Sequence, residues 1–515
     1  MAENGVMTTI AGPVASTTTG EVVGDDNGRV TVWKGIRYGE APTGALRWAA
    51  PVAAHDAVRD PDGVVRATSF GAAAPQPVNK VMPLGDGVRT DEDCLFLNVW
   101  RRSDAAEGRP VMVWLHGGAY TFGAASQAVY DGTSLVSTGD VVLVTINYRL
   151  GALGFLDLRS LPGGEEAEPN PALRDVLLAL RWVQDNIRAF GGDPDRVTLF
   201  GESAGGGLVT ALLATPSAAG LFHRAIAESA PASSMYGGAR AATVASRFAD
   251  EVGASRLDEL RALPVETIVA AAARVYDAVP RERPGTLAFA PVVDGDLLPE
   301  HPITVLSEGR GLPVPLIIGT NRDEATLFRY MNSPLMPIGA DAIEQMFTTM
   351  REEQPELPSP DLEQVLAAYT KVKRRSLGVG IARDIGFRMP TVWLASGHSS
   401  VAPTYLYRFD HATPLMNLTG IGAAHGAELA YVWGTLDAGA GPAFRLGGRR
   451  TAERISKRMQ RRWTDFANGR PPGDDWPAYD TRSRTSLVID TKDRVVENLD
   501  AALRTGWGDT VLSFR

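Results

Sequence analysis

A single cysteine, Cys94, in a chain of 515 residues excludes any disulfide within the chain, and with it the disulfide scaffold of small secreted proteins. A lone thiol of this kind is ordinarily a small buried apolar group, and Cys94 is read that way. Basic charge is also in short supply. Lys and Arg number 51 against 60 Asp and Glu, for a net charge of -9. A nucleic-acid partner needs concentrated Lys and Arg to neutralise phosphates, so that class of function is set aside, and the acidic excess serves solubility. No run approaches the roughly 18 uncharged apolar residues of a membrane-spanning helix. The opening stretch, MAENGVMTTIAGPVASTTTG, lacks the basic start and apolar core of a secretory signal. A cytoplasmic protein with no membrane partner is therefore expected. Repeats, low-complexity linkers, a phosphate-cradling glycine loop and clusters of metal-ligand type are missing too, so neither a metal nor an organic cofactor is expected. The abundance of Ala, Gly and Arg suggests a high-GC bacterial genome.

What is present is a large apolar fraction, 44% of the chain, enough for a large core. Length alone would allow about three domains of ~150 residues, but elaborated α/β enzymes often form one unit, and residues 1–515 are read as one. Short apolar runs at 110–115 (PVMVWL), 141–147 (VVLVTIN), 196–200 (RVTLF) and 313–320 (PVPLIIGT) alternate with helical patterns. At 171–190 one helical face carries Leu173, Leu177, Leu180, Val183 and Ile187. Apolar strands alternating with helices imply a mostly parallel sheet covered by helices on both faces. Residues 235–280 read as helical. Residues 325–400 read as a mainly helical insertion, a cap over one end of the sheet. A late strand at 404–409 and an amphipathic helix at 451–468, closed by Gly469 and Pro471, complete the pattern.

The chemistry concentrates in two glycine-rich turns. Gly201-Glu202-Ser203-Ala204-Gly205 follows the run RVTLF and opens a helical stretch. That strand–turn–helix setting lifts a serine hydroxyl above a sheet and places it at a helix N-terminus, where negative charge is favoured. Ser203 is thus a candidate nucleophile for acyl transfer. His116-Gly117-Gly118 follows PVMVWL, and its backbone N–H groups suit a tetrahedral oxyanion; the candidate donors are Gly117, Gly118 and Ala204. His116 itself is read as holding that loop. A serine needs a base, and the chain has only seven histidines. Those far enough downstream are His398, His411 and His425. His398 ends a helix, while His411 and His425 both follow the late strand, so spacing leaves these two open. The acid is expected in the loop after PLIIGT, where Asp323 and Glu324 are adjacent and either could orient an imidazole.

These segments resemble the type-B carboxylesterases, the family that includes cholinesterases and bacterial p-nitrobenzyl-type esterases. The likeness covers nearly the whole chain. It rests on GIRYGEAP and LRWAAP near the start, EDCLFLNVW at 92–100, HGGAYTFG at 116–123 and NYRLGALGFL at 147–156. It continues through WVQDNIRAFGGDPDRVTLFGESAGG at 182–206, GTNRDEATLF at 319–328 and HGAELAYVWG at 425–434. The resemblance implies an α/β-hydrolase fold, a Ser203–Glu324–His425 triad, a supporting role for Glu202 before the nucleophile, and a further serine, Ser229, near the triad. The chain also departs from the family. Ala74 stands where a second cysteine often accompanies Cys94. Residues 71–93 hold no aromatic side chain, which removes the choline-binding tryptophan of that loop. Ala325 replaces the glycine that commonly follows the acid.

The expected activity is hydrolysis of a small-molecule carboxylic ester through an acyl-enzyme. The same groups could cut a carbamate or amide; a long-chain lipase and a non-catalytic binding homologue are weaker rivals. Tyr120, Phe122, Phe328, Tyr330, Met331, Leu335 and Met336 are candidate pocket residues that point to hydrophobic or aryl substrates.

Overall fold

The structure, a computed structural model, describes residues 12–55, 64–79, 82–85, 87–356, 362–369, 376–438 and 441–514. The first residues of the opening stretch read above, parts of the 71–93 loop (80, 81 and 86) and parts of the 325–400 segment (357–361 and 370–375) lie outside the described residues. Along the strand Arg109–Leu115 the side chains divide between two buried clusters. Val111, Val113 and Leu115 enter one, Met112 and Trp114 the other. Successive residues of a strand point to opposite faces, so an unbroken apolar run demands cover on both. The division repeats at Leu199 and Phe200, at Ala225 and Ile226, and at Ile318 and Ile317.

Among the described residues the resulting sheet has eleven strands. From one edge to the other they are Arg494–Val496, Ser486–Ile489, Thr404–Phe409, Leu316–Asn321, Arg224–Glu228, Gly192–Glu202, Arg109–Leu115, Val142–Ile146, Phe96–Arg102, Val30–Arg37 and Asp25–Asp26. The run from Ser486–Ile489 to Val142–Ile146 is parallel throughout, and the flanking strands pair antiparallel. On one face lie helices Pro171–Asn186 and Ala204–Leu213, which bury Leu173, Val176, Leu208 and Leu212. On the other lie Thr133–Gly139, Leu429–Trp433 and Arg449–Ala467, with Leu135, Val432, Ile455 and Trp463. Trp114 anchors that second face. Its ring lies 4.7 Å from Phe200, 5.0 Å from Tyr130 and 5.1 Å from Trp433, and such aromatic contacts add about 0.5–1.5 kcal/mol each beyond area burial.

The expected strand at 313–320 starts only at Leu316, because Pro313 and Pro315 have no N–H to give the ladder. Among its described residues the stretch 325–400 holds helices Ala325–Tyr330, Ala340–Glu353, Leu362–Ala367, Leu377–Arg383 and Met389–His398 and one wide turn at Asp384–Arg388. Its parts differ in role. Met389–His398 is a sheet-covering crossover between two paired parallel strands, with Trp393 and Leu394 in the core, whereas Leu327, Phe328, Leu335, Met336 and Phe387 line a cavity at the carboxyl ends of the strands.

Candidate active site

Parallel strands in register end together, and their carboxyl ends are where ligands bind in such sheets. Here Leu115 pairs with Gly201, Glu202 with Glu228, and Glu228 with Gly319. The loops that leave these ends carry His116–Gly118, Ser203, Ser229 and Glu324, and the strand Thr404–Phe409 leads to the loop of His425. Ser203 has φ 56° and ψ -122°, a sparsely populated conformation that costs of order 1–3 kcal/mol. It is held by backbone bonds from Ser203 N–H to the Glu228 carbonyl (2.9 Å) and from Gly207 N–H to the Ser203 carbonyl (2.8 Å). The following helix can approach the sheet because residue 205 has no side chain: a Cβ there would stand 2.0 Å from the Leu115 carbonyl oxygen.

Ser203 Oγ lies 2.7 Å from His425 Nε2, and His425 Nδ1 lies 2.6 Å from Glu324 Oε2. The other oxygen of Glu324 accepts bonds from Ser229 Oγ and from Asn321 N–H, each 2.6 Å. The loop of His425 is tied to the loop of Glu324 at several points. Asp323 N–H donates to the Ala423 carbonyl (2.9 Å), Ala423 N–H to the Asp323 carboxylate (3.0 Å), Asn321 Nδ2 to the Ala424 carbonyl (2.8 Å) and Thr326 Oγ1 to the Ile421 carbonyl (2.6 Å). Of the two adjacent acids, Glu324 therefore meets the imidazole and Asp323 fastens the loop that carries it. His411 lies elsewhere, 3.4 Å from Asp490, and His398 Nε2 bonds the Val314 carbonyl at 2.9 Å.

Carboxyl groups are concentrated on the sheet side of Ser203. Glu202 Oε1 is 3.4 Å from His425 Nε2. Burial pushes the His425 imidazole down, but the carboxylates of Glu202 and Glu324 outweigh it and hold the ring above the ordinary histidine value. Glu202, Glu228 and Glu428 are all buried, and burial raises each of them; Glu324 adds to it at Glu202, Glu202 at Glu228, and Glu202, Glu228 and Glu324 at Glu428. Trp463 Nε1 donates to Glu228 at 2.7 Å, and Asn321 Nδ2 donates to Glu428. Sequence reasoning did not single out Glu228, Glu428 or Asn321, although all three lie inside or beside the segments it quoted. His116 is of a different kind. Its ring is buried, stacked on Tyr148 at 4.5 Å, and 2.9 Å from the Gly117 carbonyl, and burial pushes its pKa down to about 4.

A cavity of about 530 Å³ opens over Ser203 and His425. Gly118, Ala119 and Ala204 line it; Gly117 is not in the lining, and a Cβ there would stand 2.7 Å from Glu202 Oε2 and 3.2 Å from Ser203 Cβ. Of the pocket candidates, Tyr120, Phe122, Phe328, Met331, Leu335 and Met336 line the cavity. Tyr330 does not. Helix Ala325–Tyr330 turns Leu327 and Phe328 inward, which leaves Tyr330 exposed with its hydroxyl donating to the Thr419 carbonyl. Phe387, unforeseen in the sequence, stands on the wide turn at Asp384–Arg388 with its ring 4.7 Å from the His425 imidazole; Phe328 packs on the same ring at 5.3 Å.

Comparison with known proteins adds a family to this geometry. The profile of the Carboxylesterase family matches residues 11–505. The chain belongs to the carboxylesterase family. The para-nitrobenzyl esterase of Bacillus subtilis (strain 168) is 36% identical over 487 residues, 93% of this chain and 95% of that protein. The phenmedipham hydrolase of Pseudarthrobacter oxydans is 31% identical over 496 residues, 93% of this chain and 95% of its own. Among solved structures, a PNB esterase superposes with a TM-score of 0.81 at 35% identity, covering 96% of this chain and 99% of the other. The fold is accordingly the α/β-hydrolase fold, and this carboxylesterase is a serine-type hydrolase of carboxylic esters. Its Cys94 is buried and unpaired, with the thiol pushed well up by burial, and Ala74 is buried as well. Among the described residues no helix is long and apolar enough to cross a membrane, and no group of His, Cys, Asp and Glu is arranged to hold a metal.

Proposed function

We propose that Ser203, His425 and Glu324 are the catalytic triad, on one observation: an unbroken hydrogen-bonded line from Ser203 Oγ through both imidazole nitrogens to Glu324, placed at the cavity. With its proton on Nδ1 donated to Glu324, His425 accepts the Ser203 proton at Nε2 as Oγ attacks the ester carbonyl. The imidazolium so formed is stabilised by the carboxylates of Glu324 and Glu202. The oxyanion is received by backbone N–H groups of the Gly117–Gly118 turn and of Ala204, with Ala119 beside them in the cavity lining. His425 then protonates the leaving alcohol, and a water activated by the same imidazole releases the acid and restores Ser203. Glu202 supports the imidazole, and Ser229 holds Glu324.

The largely apolar lining, with Tyr120, Phe122, Phe328 and Phe387, supports small to medium esters with hydrophobic or aryl groups. A second reading, carbamate or amide cleavage by the same residues, is favoured by one relative, the phenmedipham hydrolase. We further read the whole chain as one hydrolase domain with a mainly helical insertion at about 325–400, in the cytoplasm; the unpaired, buried Cys94 supports a reducing location. The deciding experiment is turnover of p-nitrophenyl acetate, butyrate and octanoate beside phenmedipham and an anilide, with Ser203→Ala in parallel. Ester turnover that falls at least about 10⁴-fold in the variant is expected. Faster cleavage of phenmedipham or the anilide than of every ester would favour the second reading. Ester turnover that survives in Ser203→Ala would remove Ser203 from the mechanism.

A further inference from the structure

The cavity wall contains one aromatic side chain from a distant part of the chain. Phe514 follows helix Ala501–Trp507 in sequence, is only 2% exposed, and lines the cavity together with Phe122, Tyr276 and Leu287. It is held there by its neighbours. Phe514 N–H donates to the Ser233 carbonyl at 3.0 Å, Gln354 Nε2 donates to the Ser513 carbonyl at 2.5 Å, and Trp507 Nε1 donates to Tyr369 at 2.9 Å. Opposite the ring is Gly285, at φ 88°; a Cβ at that position would lie 2.7 Å from the Phe514 ring and 3.1 Å from Met346 Sδ. The loop at 285 thus has no side chain of its own facing the ring, and Phe514 occupies the space that such a side chain would take.

The two flanks of the cavity are assigned by the proton. His425 must reach the oxygen of the leaving alcohol, so the alcohol group lies on the flank built around the imidazole by Phe328 and Phe387. The acyl group is left the flank of Phe122, Tyr276, Leu287 and Phe514, where Phe122 and Tyr276 meet edge to face at 5.3 Å. We propose that Phe514 closes the acyl side of the cavity and sets the largest acyl group that this carboxylesterase accepts. The proposal rests on the reading of Ser203 as the nucleophile.

A buried wall residue discriminates by volume, and removing a ring from a hydrophobic pocket relieves exclusion worth about 10–200-fold in kcat/KM. The test compares wild type, Phe514→Leu and Phe514→Ala on two series. One varies the acyl group on a fixed p-nitrophenol (acetate, butyrate, octanoate, benzoate), and the other varies the alcohol on a fixed acetyl group (phenyl, naphthyl). The benzoate-to-acetate ratio of kcat/KM is expected to rise at least about tenfold in Phe514→Ala and by a smaller factor in Phe514→Leu. The naphthyl-to-phenyl ratio should stay within about twofold, the scatter expected of a surface that the alcohol does not touch. An unchanged benzoate-to-acetate ratio in an active variant overturns the proposal, and so does a change confined to the alcohol series. If Phe514→Ala does not fold, the ratio in Phe514→Leu decides alone. Activity that persists in Ser203→Ala fails the underlying reading, and the inference with it; a Ser203-dependent enzyme with an insensitive acyl ratio fails the inference only.

Discussion

The two sides of Ser203 are built from opposite materials. On the sheet side, Glu202, Glu228, Glu324 and Glu428 are buried around one histidine, with Trp463, Ser229 and Asn321 as their donors. On the cavity side the wall is made of aromatic and aliphatic groups. The difference separates two tasks. Charges kept out of water interact more strongly, so the carboxylates of Glu202 and Glu324 act on the imidazole and hence on rate. An apolar wall offers area and shape, and so acts on which ester is taken.

The comparison can be broken most severely at the acid. Glu324→Gln removes the charge that stabilises the imidazolium, and kcat on p-nitrophenyl butyrate is expected to fall about 10³–10⁴-fold. Asp323→Asn, next to it in sequence, should cost no more than about tenfold, since it disturbs a loop and leaves the charge on Glu324 in place. Equal losses in the two variants would show that proximity in sequence, not contact with His425, governs the effect.

Glu202→Gln tests the second carboxylate, and about tenfold lower kcat is expected. The pH dependence carries more information. Only neutral His425 can take the Ser203 proton, and the Glu202 carboxylate raises the pKa of His425 by favouring its cation. Activity should therefore be lost as pH falls through that raised value, and the acid limb of kcat/KM should move to lower pH in Glu202→Gln. A limb that stays in place or moves upward would refute the assignment.

Trp463→Phe leaves Glu228 without its indole donor while the ring packing is largely kept. The expected cost is about 1–3 kcal/mol of stability, read in thermal unfolding, with little change in kcat. A kcat loss larger than that of Glu202→Gln would place Glu228 in the chemistry. The smallest effect is expected at Tyr330. Its side chain is outside the wall, so Tyr330→Ala should change kcat/KM by less than about twofold on any ester of the series; a larger change would redraw the cavity boundary.

Legibility in the sequence follows the range of the physics. Strand positions were readable because buried parallel strands are continuous apolar runs, and the boundary error at 313–320 came from two prolines whose effect on hydrogen bonding outweighs their place in an apolar run. The turn at 201–205 was readable because glycine, serine and a following helix are local. Tyr330 was misplaced because a one-residue step on a short helix rotates a side chain by about 100°. Phe387 was missed because it stands on a wide turn with no apolar periodicity of its own, and Phe514 because the space it fills is shaped by Gly285, more than two hundred residues earlier.

What the sequence determined by itself is everything carried by neighbours along the chain: the covered parallel sheet, the strained serine at a helix start, and the glycine turn beside it. Spacing along the chain could not choose the acid and the histidine; the family resemblance named Glu324 and His425, and only the tertiary structure brings their side chains to Ser203, because Ser203 and His425 are 222 residues apart and Glu324 and His425 are 101 apart. Spacing left Asp323 against Glu324 and His411 against His425 open. The register of parallel strands brings the ends of distant crossovers to one edge of the sheet, and there a single hydrogen-bonded line satisfies Ser203, His425 and Glu324 together.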